Sequence, residues 1–158
     1  MNGNHYEMRF GMVKGRCPGC EKGSMKDDKA RILVVEDDLP LALLMVHVLT
    51  RVGFDVEMAT TGKKALEKAV VIKFDLITLN VVLPDTNGFE LCSELKQRHI
   101  SHKTPILFIS ASPCQQDIDE AKRRGAVDYL TKPFDTTELI YRVVSYAKAN
   151  PIRKETGV

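Results

Sequence analysis

The sequence lacks an excess of either charge: its 158 residues carry 23 basic and 21 acidic side chains. That balance disfavours both a strongly basic nucleic-acid binder and an acidic disordered chain. Also missing is any apolar run near the roughly 18 residues of a membrane span, and the N-terminus shows no signal-peptide apolar core. The expectation is a cytoplasmic protein that engages neither nucleic acid nor membrane. Cysteine is scarce, at four residues, and only Cys17-Pro-Gly-Cys20 has metal-ligand spacing. Two thiolates so placed form half of a tetrahedral zinc site. No second pair follows at usable spacing, because Cys92 and Cys114 fall in expected helices, and His5 is an isolated third candidate. A reduced thiol pair is therefore expected at Cys17/Cys20 rather than zinc.

What is present is unevenly spread. Residues 1–29 hold five of the ten glycines, with six basic and four acidic side chains, whereas residues 30–158 carry seventeen of each sign. The first segment has no helical or strand period. It reads as a flexible or weakly ordered extension, in which Gly23-Ser24-Met25 resembles a cloning junction or an internal start. The 44% hydrophobic share suffices for one buried core, expected over residues 30–150, with a short polar tail at 151–158.

From Arg31 onward, short apolar runs alternate with helix-length segments. Strands are expected at 32–35, 54–58, 75–80, 106–109 and 127–130. Helices are expected at 39–51, 61–72, 89–98, 115–124 and 135–148. Asp38 suits a helix N-cap, Pro40 is tolerated in the first turn, and Gly53 and Gly125 are stops. Five strands alternating with five helices predict an α/β fold with a doubly wound parallel sheet, order 2-1-3-4-5, covered on both faces. In such a sheet, function gathers beyond the carboxyl ends of the strands.

Those ends carry chemistry. Strand 1 runs into Glu36-Asp37-Asp38, strand 3 into Asn80, strand 4 into Ser110, and strand 5 passes Tyr129 to reach Lys132-Pro133. Adjacent carboxylates favour a hard cation such as Mg2+, and a lysine and hydroxyl facing it suit phosphoryl oxygens.

These runs, Ile32-Leu-Val-Val-Glu-Asp-Asp38, Asp75-Leu-Ile-Thr-Leu-Asn80-Val-Val-Leu-Pro84-Asp-Thr-Asn-Gly88, Pro105-Ile-Leu-Phe-Ile-Ser110-Ala and Asp128-Tyr-Leu-Thr-Lys132-Pro-Phe, resemble the receiver domain of two-component response regulators. The resemblance spans roughly residues 30–150. It implies a signalling module rather than an enzyme, partnered by a sensor histidine kinase or histidine phosphotransfer protein. It places Glu36, Asp37 and the Val82 carbonyl around Mg2+, makes Ser110 and Tyr129 the switch residues, and gives Lys132 the phosphoryl contact. The Lys132–Pro133 bond is expected to be cis. A face of the fourth helix, fifth strand and fifth helix is implied for homodimers and output.

Asn80 stands where the family has its phosphoaccepting aspartate. A carboxamide is a poor nucleophile, because its nitrogen lone pair is delocalised and its oxygen carries no full charge. Phosphoryl transfer should fail, Mg2+ should bind more weakly, and Lys132, short of one anionic partner, should turn to Asp37. The substitution is either natural, making a pseudo-receiver, or engineered. A rescue by Thr78, two residues back on the same strand face, is not expected without an activating base.

Two other readings compete. One is an interaction module that acts without phosphorylation. The other, a flavin-binding protein on the same sheet, lacks a hydroxyl- and glycine-rich phosphate loop after strand 1. The first helix is apolar nearly all round, so its surplus is expected to line an interface or to be buried more deeply. Arg123-Arg124 is expected to be a solvated pair, and no output domain is expected within residues 30–158.

Overall fold

The computed structural model describes residues 29–98 and 103–148. Strands β1 (Arg31–Val35), β2 (Asp55–Ala59), β3 (Leu76–Leu79), β4 (Ile106–Ser110) and β5 (Asp128–Thr131) alternate with helices α1 (Leu39–Val52), α2 (Gly62–Val71), α3 (Gly88–Gln97), α4 (Gln115–Arg123) and α5 (Thr136–Lys148). All strand pairings are parallel and the sheet order is β2-β1-β3-β4-β5, as the alternation predicts.

The central strands are uniformly apolar because both of their faces are covered. Ile32 to Val35 and all residues of β3 and β4 are buried, and each large side chain so buried contributes about 1.5–3 kcal/mol. Alternation along the strands divides the core in two. Leu33, Val35, Ile77, Leu79, Ile106 and Phe108 face α2, α3 and α4. Ile32, Val34, Leu76, Leu107 and Ile109 face α1 and α5, against Met45, Leu49, Leu139 and Val143.

Local chemistry sets the helix ends. The Asp38 carboxylate accepts from Leu41 N at 3.3 Å, and Thr61 Oγ1 accepts from Lys64 N at 3.2 Å; such caps contribute about 1 kcal/mol each. Gly53 closes α1 at φ 113°, a left-handed geometry that a side chain would strain. Phe54 N still bonds Leu49 O at 3.2 Å in that closing turn, so β2 begins one residue later than expected. Cys114 is not in α4: it sits exposed at the N-cap position, with no side-chain capping bond.

Helix α1 does not bury its surplus under neighbouring described elements. Leu39, Leu43, Leu44 and Val52 are exposed, while Ala42, Met45 and Leu49 form its inner face. The zinc candidates His5, Cys17 and Cys20, with most of the 1–29 extension, His99 and the 151–158 tail, lie outside the described residues. No described helix is long and apolar enough to cross a membrane.

Candidate functional site

Parallel strands deliver their carboxyl ends to one rim, and backbone bonds just past each strand fix what stands there. Glu36 N bonds Ala59 O at 3.0 Å, Asn80 N bonds Val35 O at 3.1 Å, and Lys132 N bonds Ser110 O at 2.8 Å. Glu36, Asn80 and Lys132 are thereby held by the ladder itself, which makes their side chains precise. The Lys132–Pro133 peptide is cis, as the resemblance implies.

The structure brings Glu36, Asp37, Asn80, Val82 and Lys132 together. Asn80 Nδ2 lies 3.2 Å from Glu36 Oε1, 2.9 Å from Asp37 Oδ1 and 2.9 Å from the Val82 carbonyl. Carboxylate and carbonyl oxygens accept only, so it is the amide nitrogen that must face them. The other Glu36 oxygen receives Lys132 Nζ at 2.6 Å. Lys132 thus turns to Glu36, not to Asp37 as expected. Glu36 is buried and needs a cation more, whereas Asp37 is exposed and already accepts from the amide. Burial pushes the Glu36 carboxyl up, with the Lys132 ammonium and the Asp38 N–H opposing it. Among the described residues no three His, Cys, Asp or Glu side chains are placed to hold a metal ion. The acidic group here is a pair.

The loop from β3 to α3 is built around Gly88. Its N–H bonds Val81 O at 2.6 Å, and a Cβ there would fall 2.2 Å from Asn80 O. Only glycine permits this approach of α3 to the Asn80 backbone. Asn87 Oδ1 accepts from Phe89 N at 2.8 Å. Asp85 reaches across to the start of α2, accepting from Gly62 N at 2.8 Å and Lys63 N at 2.9 Å, and these two N–H groups hold its carboxyl below the usual range. The turn was readable from Pro84 to Gly88; the reach of Asp85 over 22 residues had no local signal.

Ser110 is buried at the end of β4 and its Oγ accepts from Ser112 N at 3.5 Å. Tyr129 is half-buried: its hydroxyl donates to Ser112 O at 2.9 Å and its ring stacks on Phe108 at 6.3 Å. Phe108 in turn meets Phe89 at 5.1 Å. Burial raises the Tyr129 phenol above its ordinary value. Thr78 is not at the rim but enclosed within the sheet, on the Leu76 side.

One residue expected to be solvated is structural. Arg124 donates to Phe89 O at 3.1 Å, Ser93 Oγ at 2.7 Å, Glu120 Oε1 at 2.7 Å and Glu90 Oε1 at 3.3 Å. It ties the end of α4 to α3. Arg123 alone behaves as expected, exposed and paired with Glu120 one turn back.

Comparison with known proteins settles the family. The family model for the response regulator receiver domain matches residues 32–144. The chain belongs to the response regulator receiver family. Response regulator ArlR of Staphylococcus saprophyticus is 37% identical over 121 residues, covering 77% of this chain and 54% of that protein. The alkaline phosphatase synthesis transcriptional regulatory protein PhoP of Bacillus subtilis is 38% identical over 122 residues, covering 77% and 50%. This receiver chain spans about half the length of the curated relatives it matches. Among solved structures, chemotaxis protein CheY4 of Vibrio cholerae superposes with a TM-score of 0.72 at 30% identity, over 75% of this chain and 98% of that one. The receiver domain of sensor histidine kinase PA1611 of Pseudomonas aeruginosa gives 0.70 at 26% identity, over 77% and 99%. That protein holds a magnesium ion coordinated in its active-site cleft.

Proposed function

We propose that this receiver operates in two-component phosphorelay signalling without being phosphorylated, because Asn80 occupies the position of the acceptor aspartate. The observation that carries this reading is the Asn80 amide. Its nitrogen points at Glu36 Oε1, Asp37 Oδ1 and the Val82 carbonyl as a donor. Acyl phosphate formation needs a carboxylate oxygen to attack phosphorus, and a delocalised, hydrogen-bonded amide supplies no such electron pair.

The remaining roles follow the same reading. Glu36, Asp37 and the Val82 carbonyl are the oxygens toward which Mg2+ would be drawn, with affinity lowered by the carboxylate missing at position 80. With an aspartate restored at position 80, Lys132 and Ser110 would contact its phosphoryl group, and Ser110 and Tyr129 would report it to the face of α4, β5 and α5, where a second copy or an output partner would bind. The upstream partner would be a histidine kinase or a histidine phosphotransfer protein. The exposed Leu39, Leu43 and Leu44 of α1 favour a second reading, a phosphorylation-independent interaction module.

Intact-mass measurement after incubation with acetyl phosphate and Mg2+ tests the proposal. The native chain is expected to gain nothing, and Asn80→Asp to gain about 80 Da, one phosphoryl group. A gain by the native chain would overturn the reading. Partner capture that changes only in phosphorylated Asn80→Asp supports the relay role; capture equal in both forms supports the interaction module.

A further inference from the structure

Resting on the reading of Asn80 above, we infer that the Asn80 amide nitrogen takes the place of the metal ion, so that this receiver is complete without a divalent cation. The expectation from charge alone is weaker Mg2+ binding; the geometry goes further. Three oxygens that converge to receive a cation are Glu36 Oε1, Asp37 Oδ1 and the Val82 carbonyl. The Asn80 nitrogen sits 2.9–3.2 Å from all three. Mg2+ demands oxygens at about 2.1 Å in near-octahedral array. An ion at that distance on the Asn80 side of the same three oxygens would overlap the nitrogen. As arranged, the residues present do not fit the ion.

The amide answers the electrostatic demand as well as the steric one. It carries two N–H donors, shared among three acceptors, and no charge. The positive charge comes from Lys132, whose ammonium is 2.6 Å from the second oxygen of the buried Glu36. Glu36 is thereby bonded through both oxygens, to the amide and Asp38 N on one and to Lys132 on the other. An aspartate at position 80 could not do this. It would bring a third carboxylate to oxygens that already repel, with a single lysine to offset them, so that a bound cation would add stability there.

The side chain at position 80 is thus a stabilising donor rather than a disabled acceptor, and that difference is measurable by thermal unfolding at matched ionic strength. In chelator, the native chain is expected to melt within about 1 °C of its value in ~10 mM Mg2+, while Asn80→Asp gains several degrees from the ion. Asn80→Ala, which leaves the three oxygens without a donor, is expected to melt below the native chain in chelator and to recover part of the loss in Mg2+. A companion measurement follows the Asn80 side-chain NH2 resonances, expected to be shifted by their acceptors and unmoved by Mg2+. Two outcomes overturn the inference: a Mg2+-induced gain in the native chain as large as in Asn80→Asp, or an Asn80→Ala variant as stable as the native chain in chelator. Neither touches the proposal that phosphoryl transfer is lost, which stands or falls on the mass measurement.

Discussion

Thr78 is the one buried side-chain polar atom among the described residues without a hydrogen-bond partner. It lies in β3 between Val34 and Leu107 of the neighbouring strands, in the layer that packs on α1 and α5. An enclosed hydroxyl with no acceptor forfeits its hydration without return, a loss of about 1–3 kcal/mol. Thr78→Val is therefore expected to stabilise the domain by ~1 kcal/mol in urea unfolding, with unchanged dependence on denaturant; a loss of stability would mean that the hydroxyl is satisfied. The residue also marks where sequence reading stops. Glu36, Asp37, Ser110 and Lys132 could be picked out because chemistry at a strand end is visible in one dimension, given the order of the strands. Thr78 lies two residues before Asn80 on the same face, yet whether a hydroxyl meets a partner depends on atoms from other elements. The choice of Glu36 over Asp37 by Lys132 was hidden for the same reason: burial differs between adjacent carboxylates only after α1 and the rim loops are in place.

At the scale of elements, the N-terminus of α2 is capped twice, locally by Thr61 and at long range by Asp85. The second cap fastens the loop that carries Asn80 and Val82 to a helix on the same side of the sheet. The charge on Asp85 also faces the positive end of the α2 dipole. A carboxylate held below its ordinary value adds stability that is present above the unfolded pKa, near 3.9, and is lost as pH falls through the lower folded value. Asp85→Asn keeps an acceptor oxygen but removes the charge, so it is expected to melt a few degrees lower at neutral pH. The gap between the two proteins should be constant down to about pH 5 and close progressively below pH 4. A gap independent of pH would show that Asp85 acts through shape alone. Helix caps such as Asp38 and Thr61 were readable because donor and acceptor lie within three residues; the Asp85 bond joins a loop to a helix that only the fold makes neighbours.

Across the whole molecule, anchoring is uneven. Strands β1, β3 and β4 are buried on both faces, and α3 sets five residues into the core. Helix α4 buries only Ala121 and has no side-chain cap at its start, and its charged end is held by Arg124 across to α3. The alternation of apolar runs predicts that α4 exists, and its polar sequence predicts a shallow seat, but the clamp that keeps it seated comes from an arginine that reads as surface. The local free energy of opening follows the apolar contact that must be broken. Amide hydrogen exchange is therefore expected to be fastest in α4 among the five helices and slowest in β1, β3 and β4. Removing the clamp with Arg124→Ala should speed exchange in α4 by roughly tenfold, the ~1.4 kcal/mol that a half-buried cluster of charged hydrogen bonds sustains. The central strands should keep their native rates, because the side-chain hydrogen bonds of Arg124 run to α3 and α4. If the strands accelerate together with α4, the helix is part of one cooperative unit with the sheet. In that case the face of α4, β5 and α5 cannot move while the rim around Asn80 stays still, and a receiver held at one end would be held throughout.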